Sequence, residues 1–360
     1  MKMKVTIYEV RADEQEAIAH YANELGLQVQ TCAETLNAKS LVLAQGSEAV
    51  SVLGGSNLDE TLVYRLKEAG IRYLSTRTVG YNHIDIEAAH RCGIKVCNSG
   101  YPPYGVAEFT VMLMLMALRK YKPALYRQSV NDYSLGGLQG RELRTLRVGI
   151  IGTGRIGRAV AGILCGFGCT LLAYDPYPDT SLSQVRYVSL DALYRESDLI
   201  TLHLPLTADD RHMIDEEAIA KMKDGVILIN VSRGELTQIE ALIRGIETQK
   251  IGALAMDVFE DETEIYHHRR INDIIANRSM AYLRQFPNVI LTQHMAFYTD
   301  VNTRSMVECG LKGIVELAAG RSQGRVTMNM TTLFSQMFVL AILMGIGFLA
   351  RRVQVMDAGF

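Results

Sequence analysis

The stretch Leu146 to Asp175, LRVGIIGTGRIGRAVAGILCGFGCTLLAYD, restricts what this chain can become more than any other. Val148 to Ile151 is an apolar run with the length of a buried strand. Gly152, Gly154 and Gly157 follow in G-x-G-x-x-G spacing, and an amphipathic run extends from Arg155 to Phe167. A second strand-like run, Thr170 to Tyr174, ends at Asp175. Strand, glycine turn, helix, strand and acid in that order make a dinucleotide-binding unit. Gly152 permits the turn out of the strand, Gly154 lets backbone approach a pyrophosphate, and Gly157 allows close helix–strand packing. The helix N-terminus offers unbonded N–H groups and positive partial charge to the phosphates. The residues assigned to the cofactor here are Gly152, Gly154, Arg155, Ile156, Gly157 and Asp175. Asp175 stands 18 positions past Gly157, close to the ~20 typical of an acid that accepts from ribose hydroxyls. It would repel the 2′-phosphate of NADP, and Asp175-Pro-Tyr-Pro-Asp supplies no arginine to receive one, so NAD is the expected cofactor.

The rest of the chain repeats the same alternation. Strands are expected at Val5–Tyr8, Leu41–Leu43, Ala49–Leu53, Arg72–Ser75 and Gly93–Cys97, with helices at Asp13–Leu25 and Leu58–Ala69. Val106 to Tyr121 reads as one long apolar helix, interrupted by Glu108 and too short to span a bilayer. After Asp175 come strands at Val185–Val188, Leu199–Leu204, Val226–Val231, Ala253–Val258 and Val289–His294. Helices are expected at Leu190–Glu196, Asp215–Met222 and Glu240–Thr248. The expected fold is α/β with two Rossmann-like, doubly wound parallel-sheet domains.

Composition narrows the function. The chain has 360 residues, is 48% hydrophobic and carries a net charge of −2, so no nucleic-acid footprint is visible. None of its six cysteines forms a C-x-x-C pair, and no Cys/His cluster has metal spacing, so no metal is expected. The plain expectation is a reduced, cytoplasmic protein. The N-terminus, MKMKVTIYEV, lacks the apolar core and cleavage site of a signal peptide.

Ligands of doubly wound sheets sit at strand carboxyl ends, and Arg233, Asp257 and His294 fall at such ends. Hydride exchange at a carbon next to a carboxylate needs a cation for that carboxylate, a proton donor or acceptor, and an acid to orient it. Arg233, His294 and Glu262 can fill these roles. Each also has a plainer reading: a surface arginine, a hydrogen-bonded structural histidine and a solvated acidic loop. Arg77-Thr-Val79-Gly80-Tyr81 follows a strand and can point amides at an anion, or be an ordinary β-to-α turn.

Four segments carry a resemblance: GTGRIG at 152–157, VSRG at 231–234, DVFEDE at 257–262 and FPNVILTQHMAFYTD at 286–300. Over about residues 4 to 320 the chain resembles the D-isomer-specific 2-hydroxyacid dehydrogenases, nearest the D-lactate dehydrogenases and their vancomycin-resistance branch. The resemblance implies that Arg233 binds substrate and polarises its carbonyl, that His294 is the acid/base and that Glu262 is its partner. It implies a substrate pocket from the Val79 and Gly80 amides, Tyr101 and Tyr298, with Pro205 and Asp257 near the nicotinamide. It also implies a discontinuous substrate domain (1–101 and 299–328), an NAD domain (102–298), a cleft that closes between them, and a homodimer built on the 106–121 helix. The implied reaction is reduction of pyruvate to D-lactate. The same machinery serves 2-hydroxyisocaproate and 2-hydroxyglutarate enzymes, and the scaffold also carries non-catalytic NAD-sensing proteins. Gln293 departs from the proline usual before the histidine, and Thr237-Gln238 from a common Val-Asp.

Family members end near Gly320, and residues 329–360 form an added tail. Leu333 to Ala350 is almost wholly apolar and is followed by Arg351-Arg352, so a transmembrane helix at 333–350 is one expectation. Arg351-Arg352 favours a cytoplasmic C-terminus, which conflicts with a single-pass anchor on a cytoplasmic enzyme. The segment resembles the first helix of auxin-efflux-carrier or malate-permease transporters. A fusion remnant, a membrane tether and a helix packed on the protein remain open.

Overall fold

A computed structural model describes residues 2–321 apart from 208 and 264. Residues 329–360, with the expected membrane helix at 333–350, lie outside the described residues. Among the described residues no helix is long and apolar enough to cross a membrane. The described residues divide into two compact units, 2–100 with 304–321, and 101–303.

The first unit holds β1 (Lys4–Ile7), β2 (Gln28–Thr31), β3 (Ala49–Val52), β4 (Tyr73–Thr76) and β5 (Lys95–Asn98). They form one parallel sheet in the order β2-β1-β3-β4-β5. Every residue of β3 and β4 is buried, as expected where helices cover both faces. β2, QVQT, is a polar edge strand with no apolar run to announce it in the sequence. Leu41–Leu43 is not a strand. It lies in a 3₁₀ turn, Ser40–Ala44, begun by Asn37, whose Oδ1 accepts from Lys39 N at 2.9 Å and Ser40 N at 3.1 Å. Three apolar residues were too few to outweigh that local turn. From the helix Asp300–Ala318, Val307, Leu311, Ile314 and Leu317 pack with Val5, Ile7 and Cys97.

The second unit holds β6 (Arg147–Ile151), β7 (Thr170–Tyr174), β8 (Arg186–Tyr187), β9 (Leu199–Leu202), β10 (Val226–Asn230), β11 (Ile251–Met256) and β12 (Val289–Leu291). All pair in parallel, in the order β12-β11-β10-β9-β6-β7-β8. The winding direction reverses between β6 and β9, so the glycine turn after β6 opens at a topological switch point. The helix Arg155–Cys165 buries Gly157, Val160, Ala161 and Leu164, one stripe at helical spacing. Asp215 and Asn277 cap later helices by accepting Ala218 N at 2.8 Å and Met280 N at 3.0 Å, each cap worth about 1 kcal/mol. The expected single helix 106–121 is two, Tyr104–Leu118 and Tyr121–Ser129. They break at Lys120, whose φ of 50° is left-handed and cannot continue a right-handed helix.

Candidate active site

The nucleotide half of the site begins at Gly152. Its φ is 93°, and a Cβ there would meet the His203 carbonyl oxygen at 2.6 Å. A Cβ on Gly157 would stand 2.0 Å from the Gly152 carbonyl oxygen. Both glycines are required by packing alone. Gly154 differs: its φ is ordinary, and a Cβ would meet nothing within 4 Å. No protein atom explains a glycine there, whereas a pyrophosphate laid against the backbone does. Gly154 also caps the helix Arg155–Cys165 without a side-chain acceptor, so the first N–H groups face outward for an anion. The Arg155 guanidinium donates to the Tyr101 carbonyl at 2.9 Å, and Ile156 packs on the apolar core.

Asp175 follows β7. Its Oδ2 accepts from Thr153 N at 2.7 Å and Thr153 Oγ1 at 3.0 Å, and its Oδ1 from Tyr177 N at 2.8 Å. The carboxylate is thus fixed beside the glycine turn, with a lone pair on Oδ1 left for a ribose hydroxyl. Arg158, outside the Asp175–Asp179 stretch, is a nearby cation. It donates through Nε to the Thr153 carbonyl at 2.8 Å and pairs with Asp179 at 2.8 Å, so its charge is already matched. Pro205 is exposed just past β9. Burial pushes the preceding His203 imidazole down to about 3, and its Nε2 lies 3.0 Å from Thr201 Oγ1.

The chemical half is assembled by the adjacency of β10, β11 and β12. Arg233 follows β10 in extended conformation. Asn230 steadies that turn, with Nδ2 donating to the Arg233 carbonyl at 2.8 Å and Oδ1 accepting from Ser232 N at 3.0 Å. Gly234 is needed because a Cβ would stand 2.2 Å from the Phe259 backbone. The half-buried Arg233 guanidinium donates to the Ser232 carbonyl at 2.7 Å, and no carboxylate among the described residues pairs with it. Asp257, at the end of β11, is fully buried. Its Oδ1 accepts from Thr292 Oγ1 at 2.5 Å and Met295 N at 2.9 Å, and its Oδ2 from Ala296 N at 2.8 Å. Burial raises its pKa above the ordinary carboxylate range. The carboxylate therefore grips the segment that carries His294.

Glu262 accepts from Phe259 N at 2.5 Å through Oε2, and Oε1 makes a close contact with His294 Nδ1. With a carboxylate on Nδ1, that nitrogen carries the proton, and Nε2 is left to exchange one with a ligand. Tyr101 and Tyr298 reach the same locality through Phe297, with ring centroids 6.5 Å and 5.9 Å from it. Burial raises the Tyr101 phenol, opposed by the Arg233 charge. In the first unit, Val79 and Gly80 follow β4. Asn98 Nδ2 donates to the Val79 carbonyl at 2.8 Å, and Thr78 Oγ1 to the Gly80 carbonyl at 2.6 Å. Among the described residues no acceptor takes the Val79 or Gly80 N–H. Sequence reasoning missed Thr292 and His267. Thr292 lies in the 286–300 segment, but only the fold turns its hydroxyl onto Asp257, and His267 belongs to no spaced motif and reaches His294 only in the folded chain.

The chain is similar to known proteins over most of its length. Residues 111–296 match the family described as D-isomer specific 2-hydroxyacid dehydrogenase, NAD binding domain. The chain belongs to the D-isomer-specific 2-hydroxyacid dehydrogenases. Among curated relatives of this family member, an aromatic 2-oxoacid reductase of Clostridium sporogenes is 42% identical over 317 residues, covering 87% of this chain and 96% of the relative. D-lactate dehydrogenase of Escherichia coli is 34% identical over 323 residues, covering 89% and 98%. Among solved structures, a D-2-hydroxyisocaproate dehydrogenase superposes with a TM-score of 0.83 at 31% identity, covering 90% of this chain and all of that one. An NAD-complexed D-isomer-specific 2-hydroxyacid dehydrogenase of Lactobacillus delbrueckii superposes with a TM-score of 0.80 at 30% identity, with the same coverage. The chain is thus an NAD-dependent oxidoreductase acting on the CH–OH group of D-2-hydroxy acids, and the glycine turn and Asp175 fit that cofactor.

Proposed function

We propose that the enzyme reduces pyruvate to D-lactate, with Arg233, Glu262 and His294 as its catalytic residues. The observation that carries this reading is the Glu262–His294 pair on the same sheet edge as an arginine without a carboxylate partner. NADH, when bound, supplies the hydride for the keto carbon. Arg233 holds the substrate carboxylate and draws electron density from the carbonyl, its planar fork suited to two parallel hydrogen bonds. The Val79 and Gly80 amides are assigned to the same carboxylate, and Tyr101 and Tyr298 to the substrate side chain. Protonated His294 gives the Nε2 proton to the keto oxygen as it becomes a hydroxyl, while Glu262 holds the ring in one tautomer. Pro205 and Asp257 are assigned to the nicotinamide end of the site.

A second reading, reduction of aromatic 2-oxo acids, is favoured by the 42%-identical relative and by the Tyr101–Phe297–Tyr298 rings beside His294. Steady-state NADH oxidation with pyruvate and phenylpyruvate decides between them by the ratio of kcat/KM. His294→Ala is expected to lower kcat by roughly 100-fold or more with the better substrate. Near-normal turnover in that variant rejects the assignment.

We also propose a homodimer, supported by exposed apolar side chains at Tyr104, Tyr126, Val130, Tyr133 and Leu135, with sedimentation velocity as the test. The free cysteines at 32, 92, 97, 165, 169 and 309 support a reducing, cytoplasmic setting.

A further inference from the structure

His294 is gripped at three points. Glu262 holds the ring at Nδ1. Asp257 holds the next two residues by their N–H groups, Met295 at 2.9 Å and Ala296 at 2.8 Å. The third grip is a second histidine: His267 Nε2 lies 3.1 Å from the His294 backbone carbonyl oxygen. The two imidazoles are 6.2 Å apart between centroids, and the Phe297 ring stands edge-on to both, at 6.3 and 6.4 Å.

The third grip matters because of the backbone it holds. His294 has φ of 53°, in the left-handed region that side chains with a Cβ avoid. Gln293, just before it, does nothing to lock the chain as a proline ring would. Such a conformation persists only where its surroundings over-determine it. The carbonyl reports the peptide plane directly, since rotating the His294 backbone swings both that oxygen and the ring attached to the same Cα. A donor fixed on the carbonyl therefore restrains the direction in which Nε2 points.

We propose that His267 is a positioning residue for His294: by donating its Nε2 proton to the His294 carbonyl, it holds the left-handed backbone that keeps the catalytic ring on Glu262. The inference rests on the assignment of His294 as proton donor. It needs no titration of His267, because the Nε2–H tautomer and the imidazolium both donate.

The test compares His267→Gln, whose side-chain amide restores an N–H donor at similar reach, with His267→Phe, which keeps a ring and removes the donor. His267 is exposed, so both variants are expected to fold. With whichever of pyruvate or phenylpyruvate the wild-type enzyme turns over, His267→Phe should lower kcat about tenfold, since small misplacements of a reacting group are costly. KM for NADH should hold within about twofold, and His267→Gln should keep kcat within about twofold of wild type, a rescue expected only if the hydrogen bond is the cause. Ring-¹⁵N-labelled histidine gives a readout that needs no turnover. The His294 Nδ1 proton signal should persist in wild type and His267→Gln and be broadened or lost in His267→Phe. Equal kcat in His267→Phe and wild type, or equal losses in both variants, overturns the positioning role. A wild-type enzyme that reduces neither acid rejects the catalytic reading instead, and an unchanged Nδ1 signal in His267→Phe then still overturns the positioning role.

Discussion

Replacing Asp257 with asparagine tests what organises His294, the proposed proton donor. The carboxylate accepts three hydrogen bonds in a fully buried setting, two on Oδ1 and one on Oδ2. Asparagine can keep its oxygen where Oδ1 stands, retaining Thr292 Oγ1 and Met295 N. Its amide nitrogen then faces the Ala296 N–H, leaving two donors opposed. One buried unsatisfied donor costs about 1–3 kcal/mol, and the two retained bonds weaken from charge-assisted to neutral, about 0.5–2 kcal/mol each. Burying a neutral amide instead of a charged group offsets part of this, consistent with the raised pKa of Asp257. The net is about 2–4 kcal/mol, concentrated on residues 292–296. If the 292–296 segment spends that free energy leaving its place, kcat/KM falls by roughly 30- to 1000-fold. Steady-state NADH oxidation measures it, and titration of NADH fluorescence gives the cofactor Kd in the same variant. Thr292→Val removes one of the three bonds and should lose roughly 10- to 100-fold. A kcat/KM for Asp257→Asn within about threefold of wild type would refute the reasoning. A loss confined to NADH binding would instead assign Asp257 to direct contact with the nicotinamide.

The glycine turn offers a paired test. Gly154→Ala adds a methyl group where nothing lies within 4 Å, so thermal stability should be unchanged while NADH affinity drops about tenfold or more; a fall in stability without a change in affinity contradicts the pyrophosphate role. Gly157→Ala places a Cβ 2.0 Å from a backbone oxygen and should destabilise by about 2 kcal/mol or more, read by urea unfolding. His203 supplies a pH dependence. Its folded pKa lies near 3 against about 6.5 unfolded, so the unfolded chain binds the extra proton between those values. Its stabilising contribution is complete above pH 6.5 and is lost progressively as pH falls toward 3, up to a few kcal/mol. Urea midpoints from pH 7 to 4.5 should fall less steeply in His203→Gln, and parallel slopes would reject the assignment.

Much of the nucleotide half was legible from residue order alone. Gly157 is demanded by a contact within one β–α–β unit, Gly152 by the left-handed turn out of β6, and Asp175 by its distance along the chain, so local spacing carries the information, although the His203 carbonyl that also crowds Gly152 arrives only with the fold. The alternation of short apolar runs with amphipathic stretches likewise dictated parallel sheets, since each strand of β9 or β10 is buried on both faces. Where local chemistry competed, apolar runs misled. Asn37 turned Leu41–Leu43 into a 3₁₀ segment, and Lys120 split one expected helix into two.

The half of the site proposed to carry the chemistry belongs to tertiary structure. Arg233, Glu262 and His294 could be named from residue type and resemblance, but no spacing says that Asp257 grips residues 292–296 or that His267 reaches the His294 carbonyl. Those contacts join residues 27 to 39 positions apart in sequence, and they exist because β11 pairs with β10 on one side and β12 on the other. A strand's partners are chosen by the burial of the whole sheet, so the side chains that meet at its carboxyl edge are settled only when the core closes.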